Sequence, residues 1–444
     1  MHRVGGTDSS VPRGGEEGFS AARRWAARIA TPAAAKWATD LADAIRSEDP
    51  DDALHAGLSA VDAKVAAIEI ARTAALAYGE SVDVAKGSPL RGLVGLASGV
   101  RLARHLAPAL QPLPVLRGLA LAAMDAKLPH SERRKRIKVS GEISHLTRSF
   151  EYAVRTGAFA DAVSIFSGLL TEGKERVMAG DILFRVAAED MVNGGQKLVY
   201  SVKAWQLASA LGWRAGDVVT GPMIARVATG IQDPAAYKTL MAVWRREKVD
   251  IAAIGGNAGA AEGAERDAIL TALRSGSPEE CAKDVILALK RGVALDAVAQ
   301  VAVREAALRV SAAGTYDVGA IGGLVYADAA RWVLRFSKTE TRVLPLLQAC
   351  VVLRSQATKP AEVRAPPMGV RDIETLVYQV CKGGPDGNLG PNLNLADAAA
   401  DEATAYPSTV KEGLGALARA IAQSPRDDAA WPALEKRFPP PTSF

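Results

Sequence analysis

Leu198-Val199-Tyr200-Ser201-Val202-Lys203-Ala204-Trp205 returns later in the chain as Leu324-Val325-Tyr326-Ala327-Asp328-Ala329-Ala330-Arg331-Trp332. The pair marks an internal repeat. Working outward, two further anchors precede each copy and recur a third time near the start. Ala44-Ile45-Arg46-Ser47, Ala153-Val154-Arg155-Thr156 and Ala272-Leu273-Arg274-Ser275 all read Ala, aliphatic, Arg, hydroxyl. A second anchor follows at Arg72-Thr73-Ala74-Ala75, Arg185-Val186-Ala187-Ala188 and Arg304-Glu305-Ala306-Ala307, at spacings of 26, 30 and 30 residues from the first arginine. The third anchor is Gly92-Leu93-Val94, then Gln196 to Tyr200, then Gly323 to Tyr326. Order and spacing together predict three similar units of about 110 to 120 residues, each too small to bury its own apolar stripes and so stacked on its copies.

Composition agrees with a helical reading. Of the 444 residues 49% are hydrophobic but only 5% aromatic, so the apolar fraction is carried by Ala, Leu and Val, which suit close helix-on-helix contact. The expected fold is an all-α helical-repeat body. Its parts are an N-terminal arm (1–18), N-terminal helices with the first unit (19–126), a basic linker (127–140), the second unit (141–254), a Gly/Ala loop (255–265) and the third unit (266–355). The stretch 356–444 is expected to hold a connector, a short helix from about Val370 to Cys381, a Gly/Asn/Pro loop from Gly383 to Asn394, a helix from about Pro407 to Gln423 and a Pro-rich tail from Arg437 free to wrap a neighbour. Glu48-Asp49-Pro50-Asp51-Asp52 stops one helix and supplies carboxylates that cap the next.

Charge narrows the partners. Fifty-four basic against 49 acidic residues give +5, too mild an excess to imply nucleic acid. The run Arg133-Arg134-Lys135-Arg136 has no aromatic interleaving and reads as a solvated linker. Leu106 to Ala126 is apolar but is broken by Pro108, Pro112, Pro114 and Arg117, so no membrane span is expected. Three scattered cysteines and the lack of a signal segment point to a reducing cytoplasm.

Catalytic chemistry is thin. The five histidines are His2, His55, His105, His130 and His145, and Glu142-Ile143-Ser144-His145 is a single Glu-x-x-His where a di-iron bundle needs two. No metal is expected, and the sequence names no cofactor. Gly255-Gly256-Asn257-Ala258-Gly259 lacks the preceding strand that a dinucleotide-binding turn requires. Glu189 and Asp190 are adjacent, so on a helix they point about 100° apart and at most one enters a common pocket. Tyr200, Trp205, Tyr326 and Trp332 at helical spacing are core in the ordinary case, and are the residues that line a centre if the units close around one.

From Asp181 to Val227, an Ala-rich helix, a Gly turn, an aliphatic-aromatic helix ending Leu211-Gly212-Trp213 and a further apolar helix resemble the helical domain of questin oxidase-like proteins, including the version attached to bacterial Rieske domains. Arg342-Val343-Leu344-Pro345-Leu346-Leu347-Gln348-Ala349 is similar to the same family, and the likeness covers residues 40 to 355 in pattern. The resemblance implies a helical body with a pocket and, in its relatives, oxidation of an aromatic metabolite. In that family the turn before the aliphatic helix carries Gly-His. Here Gln196 follows Gly194-Gly195, and Gly322-Gly323 has no histidine, so the resemblance supports fold and pocket better than activity. There is also no Cys-x-His pair for a Rieske cluster.

The expected function is therefore non-catalytic or accessory binding of a hydrophobic or aromatic small molecule, with Gln196, Tyr200, Tyr326, Trp205, Trp332 and Glu189 as ligand-binding candidates. One alternative is an oxidoreductase of questin oxidase type that also draws on His145. Another is a helical scaffold for protein partners or for a homo-oligomer.

Overall fold

The Ala, Leu and Val that dominate the apolar fraction go into helix throughout. The computed structural model describes residues 32–82, 90–126, 141–170, 173–356, 373–383, 389–406, 410–424 and 431–441. The expected arm at 1–18, the basic linker at 127–140 and most of the connector after residue 356 lie outside the described residues.

Among the described residues there are 21 α-helices and no strand beyond an isolated bridge between Gly259 and Val293. The first five are α1 (Pro32–Arg46), α2 (Pro50–Asp62), α3 (Ala67–Ser81), α4 (Arg91–Leu102) and α5 (Pro112–Ala126). There follow α6 (Ile143–Thr156), α7 (Phe159–Leu169), α8 (Gly173–Ala188), α9 (Val192–Ala210), α10 (Gly216–Val227), α11 (Ala235–Arg246) and α12 (Ile251–Gly255). Then come α13 (Gly263–Arg274), α14 (Pro278–Lys290), α15 (Leu295–Ala312), α16 (Val318–Phe336) and α17 (Leu344–Gln356). The last are α18 (Ile373–Cys381), α19 (Leu389–Ala405), α20 (Val410–Gln423) and α21 (Trp431–Arg437). None of the described helices is long and apolar enough to cross a membrane.

Local chemistry explains several boundaries. The Asp49 side chain accepts from the amides of Asp51 and Asp52, and Pro50 opens α2, as the acidic turn predicts. Ser277 and Glu280 close a reciprocal capping box at the start of α14.

The three Ala-aliphatic-Arg-hydroxyl anchors end α1, α6 and α13, and each arginine reaches past the next helix to a glutamate. Arg46 donates to Glu80 on α3 at 3.1 Å. Arg155 clasps Glu189, at the end of α8, at 2.8 and 2.5 Å. Arg274 clasps Glu305 on α15 at 3.0 and 2.6 Å. Charge-assisted bonds of this kind fix the angle at which the outer helices meet.

The third anchors lie on α4, α9 and α16, which share the middle of the molecule with α19. These four pack as a ring, α4 on α9, α9 on α16, α16 on α19 and α19 back on α4. Chain neighbours flank each of them: α3 and α5 on α4, α8 and α10 on α9, α15 and α17 on α16, α18 and α20 on α19. The tightest pair is α4 with α5. A Cβ on Gly118 would come within 2.9 Å of the Gly95 backbone, so the two helices meet almost backbone to backbone.

The C-terminal region departs from the sequence reading. Where Gly, Asn and Pro predict a loop through Asn394, α19 already runs from Leu389; residues 384–388 lie outside the described residues. Proline is tolerated in a first helical turn. Asn392 is buried because it finds partners from elsewhere, accepting from the Tyr316 hydroxyl and donating to Ser424, both at 2.9 Å. The expected tail is also not free at its start. Phe438 is buried in its own chain, and its carbonyl accepts from the Tyr378 hydroxyl at 2.9 Å.

Candidate functional site

The residues singled out from the sequence do not share one site. Trp205 and Trp332 join Phe184, Trp213 and Phe336 in a cluster of rings with centroids 4.6 to 5.6 Å apart. This is packing, with Trp205 only 4% exposed. Glu189 is buried and held by Arg155, so its carboxylate belongs to the α6–α8 contact. Gln196 is half-buried at the head of the straight part of α9, where Asn193, Gly194 and Gly195 take left-handed backbone angles.

The two tyrosines are both buried but are not equivalent. The ring of Tyr326 lies where a side chain on residue 195 would go, which together with a φ of 79° requires glycine there. Its hydroxyl has no hydrogen-bond partner among the described residues, and burial pushes its pKa up. Tyr200 instead belongs with Asp125 and Tyr78. Burial and the nearby Asp125 carboxyl push Tyr200 up to about 12. Asp125 accepts from the Tyr78 hydroxyl at 3.0 Å and from the Gly92 amide, at the N-terminus of α4, at 2.7 Å. Desolvation dominates over those two bonds and raises Asp125 to about 6.

A cavity of about 230 Å³ opens between the end of α7, the start of α8 and the start of α10. It is lined by Ser167, Leu170, Arg176, Trp213, Gly216 and Asp217. Trp213 and Ala215 both hold left-handed backbone, with φ of 61° and 54°. For residues carrying a Cβ this conformation costs about 1–2 kcal/mol each. The indole is clamped from several sides. Its centroid is 4.6 Å from that of Trp205, edge to face, and the Arg176 guanidinium sits 4.8 Å over it. Trp205 thus backs the cavity wall without lining it.

The third feature is a buried charge cluster in the helical ring. Asp397 on α19 accepts from Arg101 Nε of α4 at 2.8 and 3.0 Å and from Lys203 Nζ of α9 at 2.5 Å. Arg101 also pairs with Asp401. On α16, Arg331 donates to Asp328 at 3.1 Å and through Nε to Glu402 Oε1 at 2.5 Å. Desolvation would raise Asp397, but Lys203 and Arg101 outweigh it and hold the carboxyl below its ordinary value. Asp401 rises to about 6 through burial and the neighbouring Asp328 and Asp397. Glu402 rises to about 8, where burial and Asp328 exceed the pull of Arg331.

This cluster is the main feature that sequence reasoning missed, although the sequence carries its signal. Lys203, Asp328 and Arg331 stand inside the two repeated stretches among mostly apolar neighbours, where a charge demands a partner. Glu142 and His145, by contrast, are exposed at the start of α6. Among the described residues no group of three or more His, Cys, Asp or Glu is arranged to hold a metal.

No protein-family model, curated protein or solved structure matches this chain.

Proposed function

We propose that the protein binds a small, flat, hydrophobic or aromatic molecule in the cavity walled by Trp213, without transforming it. The observation that carries this reading is the strained loop. Left-handed Trp213 and Ala215 are held at an energetic cost beside a cavity, with the indole fixed by Trp205 and Arg176. Backbone strain concentrates where a ligand or a reaction needs a preset geometry. The Trp213 indole offers an aromatic wall and Ser167, Arg176 and Asp217 offer polar partners, which suits a planar aromatic molecule that carries polar groups. The volume is below the ~300–1,000 Å³ typical of sites for drug-sized ligands, so the occupant is a metabolite-sized fragment.

Native mass spectrometry of the purified chain, followed by fluorescence titration with the retained compound or a panel of planar aromatics, tests the reading. Binding should quench Trp213 in the wild type and be lost in Trp213→Ala, with a helical circular-dichroism spectrum showing that the variant is still folded. Binding that survives Trp213→Ala places the ligand elsewhere. Turnover of the bound compound would move the reading to the oxidoreductase that the resemblance implies.

A further inference from the structure

The ring centre contains an odd balance. Four carboxyls, Asp328, Asp397, Asp401 and Glu402, face three cations, Arg101, Lys203 and Arg331. Five of these seven side chains are more than nine-tenths buried, the exceptions being Arg101 at 16% and Asp401 at 22% exposed. Three of the carboxyls have an ion-pair partner that suits a full negative charge. Glu402 has one only on Oε1; its Oε2 is buried and has no hydrogen-bond partner among the described residues. An ionised carboxylate carries half its charge on that orphan oxygen, away from water and from any donor, which is the costliest way to bury it.

We propose that Glu402 is a proton-binding site in the middle of the helical ring: it holds a proton on Oε2 in the folded protein at neutral pH, leaving three carboxylates to balance three cations.

The groups around Glu402 agree with this assignment. From α16, Arg331 donates to Oε1 and is itself shared with Asp328; Arg335 beyond it pairs with Asp296 and lies over the Tyr406 ring. Tyr406, four residues on, spends its hydroxyl on Asp296. From α4, Arg101 is engaged by Asp397 and Asp401, and half-buried His105, in the turn just after α4, is held below its ordinary value by desolvation. From α9, Lys203 is committed to Asp397. From α20 the facing residue is Gly413, while Glu412 beside it pairs with Arg304 and Arg419 donates to the Ala313 carbonyl. From α18, Glu374 accepts from the Ala107 amide. From α5, Arg117 donates to the Gly383 carbonyl, and Asp125 is held by Tyr78 and Gly92. Each of these cations is thus engaged elsewhere, and Glu402 keeps only its bond from Arg331.

The consequence is a fold that weakens as pH rises. The proton is bound more tightly in the folded chain than in the unfolded one, so its contribution is complete below the ordinary glutamate range, near 4.5, and fades until Glu402 ionises in place at about 8. Within that window one extra bound proton changes the folding equilibrium by up to about tenfold per pH unit. Ionised Glu402 adds a fourth buried negative charge where three cations sit, and the ring is the element that must loosen to admit water.

Infrared spectroscopy of the intact protein in heavy water at neutral pH tests the assignment, reading the carbonyl stretch of a buried protonated carboxylic acid. The expected result is such a band in the wild type that disappears in Glu402→Gln and persists in Asp401→Asn. A wild type with no band at neutral pH overturns the proposal without reference to any variant. So does a band that survives Glu402→Gln or vanishes in Asp401→Asn. Unfolding midpoints across the same window give a second reading: Glu402→Gln, which mimics the protonated side chain, should lose about tenfold less folding equilibrium per pH unit than the wild type. Parallel slopes in the two proteins would show that the proton resides on another group.

Discussion

Lys203 and Asp397 are 194 residues apart in the chain and meet in the middle of the helical ring, Nζ to Oδ2 at 2.5 Å, both almost wholly removed from solvent. Arg101 reaches the same carboxylate from a third helix. One aspartate therefore ties α4, α9 and α19 together. A buried ion pair adds little net stability over well-packed apolar residues, but removing one member strands the others.

Asp397→Ala should accordingly cost about 3–5 kcal/mol, because Arg101 and Lys203 then lose their shared counter-charge. Urea denaturation followed by circular dichroism measures it. The Lys203→Met, Asp397→Leu double variant should be less damaged than the sum of the single changes, since no lysine is left uncompensated. Stability of the single variant within ~0.5 kcal/mol of wild type, the usual range for a surface change, would mean that the cluster does not form.

Opposite outcomes are expected on the two sides of the Gly195–Tyr326 contact. Gly195→Ala places a Cβ inside the Tyr326 ring at a left-handed backbone position and should cost roughly 2 kcal/mol or more. Tyr326→Phe removes a buried hydroxyl that has no partner among the described residues and should leave the thermal midpoint unchanged or raise it. A clear loss in Tyr326→Phe would show that the hydroxyl does have a partner in solution.

Asp125 should make its own mark on the pH profile. Its carboxyl is about 6 in the fold against 3.8 outside it, so the folded state prefers the protonated form. That preference is fully present below 3.8 and is lost as pH rises through about 6; a shift of this size corresponds to roughly 3 kcal/mol at the limit. Asp125→Asn keeps a neutral group beside Tyr78 and Gly92. Its unfolding midpoint should fall less than that of the wild type between those pH values, and a variant profile parallel to the wild type would refute the assignment.

The three thiols should be silent in the native protein. Cys281, Cys350 and Cys381 are all buried, and desolvation pushes Cys281 and Cys381 up to about 12 and Cys350 well above its ordinary value. Reactivity needs an accessible thiolate. A disulfide-exchange reagent should count no thiol at neutral pH until denaturant is added and three thereafter. Fast modification of any one in the native state would mark a local opening at that helix.

Several parts of this architecture are legible in residue order alone. An Ala, Leu and Val core with few aromatics fixes helix as the element, because these residues lose little on entering one and pack closely. Asp49-Pro50 and Ser277-Pro278 with Glu280 state their own helix starts, since capping involves only neighbours within a turn. The Ala-aliphatic-Arg-hydroxyl anchors can be found by eye, but not the partners of their arginines. Glu80, Glu189 and Glu305 stand 8, 4 and 1 residues past the second-anchor arginines Arg72, Arg185 and Arg304, a regularity that appears only when the helices are wound.

The rest was decided by tertiary contact. Asn392 in α19 reads as a turn residue, and a helix forms there because Tyr316 and Ser424 satisfy the buried amide. Lys203, Asp328 and Arg331 read as charges among mostly apolar neighbours, and become a cluster only when α19 brings Asp397, Asp401 and Glu402 between them. The candidate cavity was only half visible. Trp213 reads from the sequence as the end of a helix, while its left-handed backbone and its place against Arg176 depend on how α8 and α10 converge. A sequence records which groups must be paired or buried. Which distant group answers each one is settled by long-range packing, because desolvating a charge or an amide is costly enough to select the arrangement that pairs it.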